Sequence, residues 1–537
     1  MTGIGNAHIR ITATPEAQRW FNQGLNLLHD FWDYESARAF EQGVRVDSHC
    51  AMCYWGLYEA ESFYHSTAQG YAAQALAQAV RLEGYASQRE RLYIDATAAT
   101  ANSLNNPMQR GGRLAAVDLW RQLVKEYPHE MQARIFLAGV VGHQESVAIL
   151  QSILKARLQD SAANHHYIHA VEASEHPEQA LKSAEILARL APASGHMVHM
   201  PGHIFFRIGD YARAEQAFAA SMQVDERYMR EQHVQPDNDW NYVHNLMYAV
   251  ANLMEEGKLQ KATELSMKLS SARGVLESTL YIYSTRDSIS RLDPRLPVAL
   301  RTADWARVLE LLKGSPPPAD RPTLDFLAQQ LAGFAAGMQA IEKHDLPRAE
   351  ELSSQFDAEL QRMSEQVESS QGMQTTAMQK APSGPPKLPV LPDALPQPLL
   401  SSLSVMSLEL RGSLLALERK SDEAKSLFAK AAQGEKDLGY REPPGYIRPV
   451  GETEGAAMMA LGQWADASAA YESALRERPR SGWALYGIAM SSEESGDSTA
   501  AAKEYTDFLM AWKDADPNLA QLEHARRYIA GHPVAQG

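Results

Sequence analysis

Hydrophobic residues recur along most of the chain at spacings of three and four positions, which is the pattern of amphipathic α-helices. These helices come in pairs. In each pair, glycine and alanine occupy positions where two helices can cross closely, and aromatic or other large residues fill the space between them. Signals for β-hairpins are nearly absent. The chain is therefore predicted to be all-α.

The pairs repeat with a period of about 34 residues and resemble the tetratricopeptide repeat, with a glycine in the first helix and A-x3-F/Y in the second. Six stretches carry this pattern, at residues 20–40, 202–218, 257–262, 412–431, 455–479 and 496–505. One helical hairpin cannot bury its apolar face alone, so stacked repeats share a continuous core. We expect a tetratricopeptide-type helical-repeat solenoid, a right-handed superhelix of helix-turn-helix repeats.

A proline-rich segment interrupts the repeats. From residue 364 to about residue 400 the chain is rich in Ser, Gln and Met, and it carries seven prolines between Pro382 and Pro398. Proline excludes continuous helix and favours an extended backbone. The predicted organisation is an N-terminal array over residues 1–363, a linker or loop over 364–400, and a C-terminal array over 401–537.

The chain of 537 residues carries 51 Lys and Arg against 66 Asp and Glu, a net charge of −15. This sign argues against non-specific binding to nucleic acid or to an anionic membrane. The N-terminus lacks a basic segment followed by an apolar run, and no window approaches 18 uninterrupted apolar residues. We expect a soluble protein, cytoplasmic by default, although a periplasmic or secreted chain without its signal would look the same.

Histidine is distributed unevenly. Nine of the 18 histidines lie between His165 and His244, within 80 residues. Side chains spaced by three, four and seven positions share one helical face and can converge on one cation. Two sets of three have this spacing, namely His165, His169, Glu172 and His196, His199, His203.

The resemblance to tetratricopeptide repeats implies where these side chains point. Repeat phasing places both sets at positions 2, 5, 9 and 12 of the first helices, which line the concave groove in that family. The predicted metal ligands in this one groove are His165, His169, Glu172, His196, His199, His203 and His244.

Two qualifications accompany this ligand set. If a helix began at Pro201, His196 and His199 would lie in the segment before it, and the shared-face argument would weaken for both. His166, His176 and His233 fall off the two faces and are expected at the surface or in loops.

The ligand types limit the choice of metal. Neutral imidazole suits zinc, copper, iron and nickel. Three ligands plus water would make a zinc hydrolase site, whereas six or seven could hold a dinuclear centre. The number of imidazoles favours copper or iron, and the zinc-protease sequence H-E-x-x-H is absent.

Other residues could serve the reaction. Glu172 could act as a general base beside a metal-bound water instead of as a ligand. Arg207 could hold a carboxylate in a bidentate pair, and Tyr167, Tyr242 and Trp240 could contact a substrate. Ordinary packing explains these four residues equally well.

Cys50 and Cys53 are the two cysteines of the chain. Tyr54 follows them, so they are not a c-type haem attachment sequence, and no second C-x-x-C completes a zinc site. Two cysteines do not make a disulfide framework. Buried packing thiols are favoured over a soft-metal or redox site.

Several stretches also resemble a bacterial group of large, often exported tetratricopeptide proteins whose function is poorly defined. The stretches that carry this resemblance are residues 21–25, 50–56, 165–172, 195–205, 244–245 and 442–444. The resemblance implies the helical-repeat fold and supplies no reaction.

Two functions are consistent with the sequence. The first is a metal-dependent oxidoreductase, with copper or iron, acting on a small molecule or peptide in the groove. The second is a non-catalytic scaffold that holds a peptide or protein partner, and a zinc-dependent hydrolase is a further alternative.

Overall fold

The computed structural model describes residues 1–64, 69–105, 110–273, 285–315, 317, 321–378 and 397–532. Within these residues the regular structure consists of 26 α-helices and three short 3-10 helices, and no strand occurs. The prediction of an all-α fold is confirmed. The chain forms two compact units, residues 1–208 with 216–231 and residues 209–215 with 232–537.

The first unit is a run of helices from the N-terminus to residue 208. They are α1 (Pro15–His29), α2 (Asp33–Val46), α3 (Ala51–Tyr64), α4 (Gln69–Arg81), η1 (Glu83–Tyr85), α5 (Gln88–Asn105), α6 (Arg110–Glu126), α7 (Met131–Val140), α8 (His143–Ala156), α9 (Ser161–Glu172), η2 (Pro177–Ala180), α10 (Leu181–Leu190) and α11 (Gly195–Arg207). The next helix, α12 (Tyr211–Gln232), contributes residues 216–231 to this unit.

The second unit contains the remaining helices. They are η3 (Pro236–Asn238), α13 (Trp240–Glu255), α14 (Leu259–Ala272), α15 (Thr285–Leu292), α16 (Leu296–Arg301), α17 (Trp305–Gly314), α18 (Pro322–Glu342), α19 (Leu346–Met378), α20 (Gln397–Leu417), α21 (Ser421–Asp437), α22 (Val450–Ala460), α23 (Trp464–Glu477), α24 (Gly482–Ser495), α25 (Ser498–Ala511) and α26 (Ala520–Gly531).

Helices within a pair pack through contacts between glycine and an aromatic ring. The Phe40 ring of α2 lies against Gly24 of α1 and Gly56 of α3, where an added Cβ would come within 2.8 and 2.2 Å of the ring. The Ser36 hydroxyl donates to the Gly24 carbonyl at 2.8 Å and fixes the same crossing. Equivalent contacts join Gly202 to Phe218, Gly412 to Phe428, and both Gly455 and Gly487 to Tyr471. The tetratricopeptide-type pairing is thereby confirmed.

The helices that carry the clustered histidines begin at capping residues. The side chains of Asp160, Ser194 and Asp239 each accept a hydrogen bond from the backbone N–H three residues later, which satisfies a free donor at the start of α9, α11 and α13. Because α11 starts at Gly195, Pro201 lies inside the helix. His196 and His199 are therefore helical, and the alternative of a helix beginning at Pro201 is wrong.

The described part of the predicted linker is helical. Helix α19 continues from Leu346 to Met378 and α20 begins at Gln397, while residues 379–396 lie outside the described part of the chain. Residues 364–378 contain no proline, and their Ser, Gln and Met side chains are compatible with helix. The array boundaries at residues 363 and 401 stay predictions.

One described helix segment, Leu399–Leu417, is long and apolar enough to cross a membrane, but 67% of it is buried inside the protein. Its Leu403, Leu410 and Ala416 side chains belong to that buried surface. A core helix has the same length and composition.

The glycine contacts predict a steric effect of substitution. Gly56→Ala would place a Cβ 2.2 Å from the Phe40 ring, and we expect it to lower the free energy of unfolding by about 1–3 kcal/mol. Gly139→Ala is the matched control, because its Cβ would meet nothing within 4 Å and alanine favours helix. Denaturant unfolding of both variants measures the difference, and equal stabilities would contradict the packing.

Candidate metal centre

Helices α9 and α11 bring three histidines of the first unit together. One nitrogen of each of His165, His169 and His196 lies within 4.8 Å of the other two. His165 and His196 are buried at 0% and 4% exposure, and His169 is half-buried. We refer to these residues as the three-histidine cluster. The structure thus brings three of the seven predicted ligands together, and their role as metal ligands stays a prediction.

The protonation of His165 follows from its contact with the backbone. Its Nδ1 lies 2.5 Å from the carbonyl oxygen of His29, and a carbonyl oxygen can only accept, so Nδ1 carries the proton. In the neutral ring the lone pair is then on Nε2. This Nε2 is buried and has no hydrogen-bond partner among the described residues. Hydrogen bonding of one ring nitrogen while the other is left for a metal is typical of histidine ligands.

Glu172 connects the cluster to a second group of imidazoles. Its Oε1 accepts from Nδ1 of His169 at 2.7 Å and its Oε2 accepts from Nδ1 of His203 at 2.5 Å. One carboxylate therefore fixes the orientation of two rings and the position of the proton on each. Both carboxylate oxygens of Glu172 thus accept a hydrogen bond from an imidazole, and its role as a ligand or general base stays a prediction.

His203 also contacts the remaining histidine of α11. Its Nε2 lies 2.7 Å from Nε2 of His199, and both side chains are fully buried. Since His203 is protonated on Nδ1, its Nε2 accepts from His199 when both rings are neutral. The first unit thus holds five of the predicted ligand histidines on two adjacent helices.

Burial and mutual charge keep this site in a form that can bind a cation. Burial lowers the pKa of His165 well below 6.5, and the neighbouring His169 and His196 lower it further. Burial alone would raise the pKa of Glu172, but His203 and His169 lower it well below its usual range. Neutral imidazole and ionised carboxylate are the forms that metal binding requires.

An aromatic ring from the α1–α2 turn covers the cluster. The Phe31 ring stacks on His169 and His196, with ring centroids 5.2 and 5.5 Å apart, and lies 4.6 Å from the ring of His165. Phe31 has a positive φ of 57°, a conformation that is strained for a bulky residue. The turn in this conformation places the apolar Phe31 ring against the three imidazole rings. No spacing pattern in the sequence indicates this contact.

A second histidine pair lies beside the cluster. His29 donates through Nε2 to the Gln132 side-chain oxygen at 2.6 Å, and its Nδ1 lies 3.2 Å from Nε2 of His166. Burial lowers the pKa of His29 to about 4. The expectation that His166 is a surface residue is wrong, because the α1 helix packs against this side of α9. His176 and His233 are exposed, as predicted.

Two predicted substrate residues have structural contacts. The Arg207 guanidinium donates to the backbone carbonyls of Glu172 and Ser174 at 3.0 and 2.9 Å, which ties α11 to the end of α9. The Tyr167 hydroxyl accepts from Gln151 at 2.9 Å. Tyr167 is two positions from His165, about 200° around the helix, so it faces α8. It does not join the cluster.

The other predicted residues belong to the second unit. His244 of α13 is buried, with Nε2 at 3.8 Å from Glu442 Oε2 and rings of Trp240 and Tyr248 at 5.9 Å. Tyr242 is buried, with the Lys268 ammonium 5.7 Å from its ring centroid. The inclusion of His244 in a seven-ligand site stays a prediction.

Cys50 and Cys53 form a disulfide at the start of α3, and both are fully buried. The sequence favoured packing thiols. Both residues are buried, as expected, but the prediction of free packing thiols is wrong because the two sulfurs are bonded to each other, which also leaves no thiolate for a soft-metal site.

Comparisons with other proteins give distant structural similarity only. No protein-family model matches the chain, and a search of curated sequences finds no similar protein. Among solved structures, the human IFIT1 dimer with m7Gppp-AAAA is 12% identical, with 86% of this chain and 90% of that chain covered and a TM-score of 0.34. Yeast Tom70 is 11% identical, with 96% of each chain covered and a TM-score of 0.30.

Cut9, from the APC/C hetero-tetramer Cut9-Hcn1, is similar at the same level, with 14% identity, 82% and 84% coverage and a TM-score of 0.25. Similarity this distant says nothing about what the chain binds. The resemblance to an exported bacterial group and the expected absence of a nucleic-acid partner stay predictions.

Proposed function

We propose that the first unit binds a transition-metal ion through Nε2 of His165 and the imidazoles of His169 and His196. The observation that carries this proposal is the buried Nε2 of His165, which lacks a hydrogen-bond partner among the described residues while Nδ1 is fixed on a carbonyl. An unsatisfied polar atom at this depth is costly unless a ligand compensates it. A metal ion supplies that compensation.

The donor set supports copper or iron. Three neutral imidazoles leave at least one coordination position for water or a substrate, and imidazole suits zinc, copper and iron. His199 and His203, next to the cluster, raise the imidazole number and favour copper or iron over zinc. We infer a metal-dependent oxidoreductase acting on a small molecule or peptide. A redox-active metal would supply electron transfer, whereas zinc would polarise a bound water.

Elemental analysis tests the proposal. We expect untagged protein from its native host to contain about one or two equivalents of copper or iron. X-ray absorption at the metal edge should show nitrogen donors from imidazole. Substoichiometric metal after reconstitution with copper, iron and zinc would refute the metal site, and stoichiometric zinc would replace the redox reaction with hydrolysis.

Glu172 is predicted to increase the metal affinity by orienting the imidazole rings of His169 and His203. Glu172→Gln retains the size of the side chain but cannot accept two imidazole protons with full charge, so we expect metal affinity to fall about 10- to 100-fold. Competition with a chromophoric chelator measures this change. Glu178→Gln is the matched control, since Glu178 is exposed and contacts His176. Equal affinities in the two variants would contradict the positioning role.

A peptide-binding scaffold is the second candidate. A cleft of about 780 Å³ between α2, α3 and α4 is lined by aromatic, aliphatic and arginine side chains, including Tyr54, Leu57, Tyr71, Arg45 and Arg81. Tyr and Arg are enriched where proteins bind partners. Co-purification of a peptide that is lost in Tyr71→Ala and retained in metal-free protein would favour this function over the metal enzyme.

A further inference from the structure

The second unit buries more positive than negative charge around α13 and α16. Three arginines in this region are almost fully buried, Arg286, Arg301 and Arg478, at 5%, 1% and 3% exposure. Two buried carboxylates face them, Glu255 and Glu452. Arg301 takes both, with four hydrogen bonds of 2.7–2.9 Å. Arg301 is therefore the main partner of both carboxylates, while Arg478 lies 4.0 Å from Glu255 and Arg448 lies 3.5 Å from Glu452.

Arg286 is left without an acidic partner among the described residues. Its Nε donates to the Pro444 carbonyl at 2.5 Å, and neither Nη group donates to a described residue. The adjacent carboxylate of Asp287 pairs instead with Arg273 and Arg291, at 3.0 and 2.5 Å. The outer edge of the Arg286 guanidinium thus makes no hydrogen bond or ion pair with a described residue, and Glu255 acts on it only as a nearby charge.

Arg478 adds to the same positive field. Its Nη groups donate to the Glu477 and Tyr446 carbonyls at 3.0 and 2.9 Å, and its buried Nε has no hydrogen-bond partner among the described residues. Carbonyls satisfy donors but do not neutralise the charge, and the carboxylate nearest to Arg478, Glu255 at 4.0 Å, is shared with Arg301. Burial lowers the pKa of Arg286 to about 9, and the nearby charge of Arg478 contributes to this shift.

Other ionisable groups of this region do not supply the missing charge. Burial raises the pKa of Glu409 to about 7 and that of Glu435 to about 8, so both carry less negative charge near neutral pH than ordinary carboxylates. Arg448, with Nε 3.5 Å from Glu452 Oε2, increases the positive excess.

We propose that Arg286 binds an oxyanion, the carboxylate or phosphate group of a small ligand, between its Nη1 and Nη2 atoms. A guanidinium edge matches two oxygens of either group in a bidentate pair. Keeping a charged guanidinium buried without a partner is costly, and a bound anion removes that cost. Arg478 strengthens the site through its charge. The site lies within the second unit and does not depend on the metal proposal.

Anion titration of the full-length protein tests this site. Calorimetry and thermal unfolding are carried out with sodium acetate and with inorganic phosphate, and sodium chloride of equal ionic strength is the reference. We expect one saturable site per chain for acetate, phosphate or both, accompanied by a rise in the unfolding temperature. Acetate alone would identify a carboxylate site, and phosphate alone a phosphoryl site.

Variants locate the site. In Arg286→Met, binding should weaken at least about 10-fold, because two charge-assisted hydrogen bonds are lost. Without anion, Arg286→Met should unfold at the same or a higher temperature than the parent protein, since an unpaired buried charge is gone. Arg286→Lys keeps the positive charge but cannot make a bidentate pair of hydrogen bonds, so it should bind acetate and phosphate weakly.

Arg295→Met is the control, because Arg295 is partly exposed and already paired with Asp293. Its anion binding should equal that of the parent protein. Acetate and phosphate effects no larger than that of chloride, or unchanged binding in Arg286→Met and Arg286→Lys, would overturn the proposal.

Discussion

His165→Asn is expected to abolish stoichiometric metal binding by the first unit. The amide nitrogen of Asn can take the place of Nδ1 and keep donating to the His29 carbonyl, so the substitution removes mainly the Nε2 lone pair. Loss of one of three protein ligands should lower the affinity by more than the 10- to 100-fold typical of residues that only support a ligand. Metal content after dialysis and chelator competition measure the loss.

His176→Asn is the matched control for this substitution. His176 belongs to the same unit but is exposed, with its Nδ1 on Glu178. The control should bind metal like the parent protein. Full metal occupancy in His165→Asn, with circular dichroism and unfolding temperature unchanged, would show that His165 is not a ligand.

The fold could be predicted from the sequence because its determinants are local. A glycine of one helix meets an aromatic ring of its neighbour at a fixed sequence distance, as Gly24 does with Phe40 and Gly202 with Phe218. Helical spacing likewise predicts that His165 and His169 share a face. Such contacts recur in each repeat and join residues that are close in sequence, so they can be predicted without the tertiary structure.

The rest of the candidate site depends on contacts between segments far apart in sequence. Phe31 and His29 come from the α1–α2 region, more than 130 residues before the helix they contact, and nothing in their local sequence marks them. Helical geometry does predict that Tyr167 points away from His165, since residues two positions apart lie on nearly opposite sides of a helix. The role of Glu172 required both ring contacts to be seen together.

The buried charges of the second unit were also beyond sequence patterns. Periodicity treats arginine and glutamate as exposed positions, yet Arg301 is fully enclosed by Glu255, Glu452 and Ser481. Arg301 is the last residue of α16, where a charged side chain is common, so its position in the sequence does not indicate burial. Only the tertiary structure shows that their charges are paired.

Arg301→Met is expected to destabilise the second unit by about 3–5 kcal/mol, because it leaves two carboxylates buried without their shared counter-charge. Urea unfolding of the full-length protein, followed by a probe within the second unit such as Trp483 fluorescence, measures the loss. Arg295→Met, at a partly exposed position, should change stability by less than about 0.5 kcal/mol.

Replacing the whole group by apolar residues separates charge from packing. The triple substitution Arg301→Met, Glu255→Met and Glu452→Leu removes both carboxylates that Arg301→Met leaves unpaired. It also removes the carboxylates closest to Arg448 and Arg478, so it should recover only part of the loss. A triple variant no more stable than Arg301→Met would mean that shape, not charge, determines the defect.

The loss in Arg301→Met should depend on pH with a definite sign. In the parent protein burial alone would raise the pKa of Glu255, but Arg301 lowers it below 4.5, so its stabilising contribution is present above pH 4.5 and is lost as the pH falls through the lowered pKa. Without Arg301, burial raises that pKa, and protonation removes the unpaired charge. The difference between variant and parent should therefore be largest near pH 7.5 and shrink toward pH 4.5. A difference that is constant over this range would contradict an electrostatic origin.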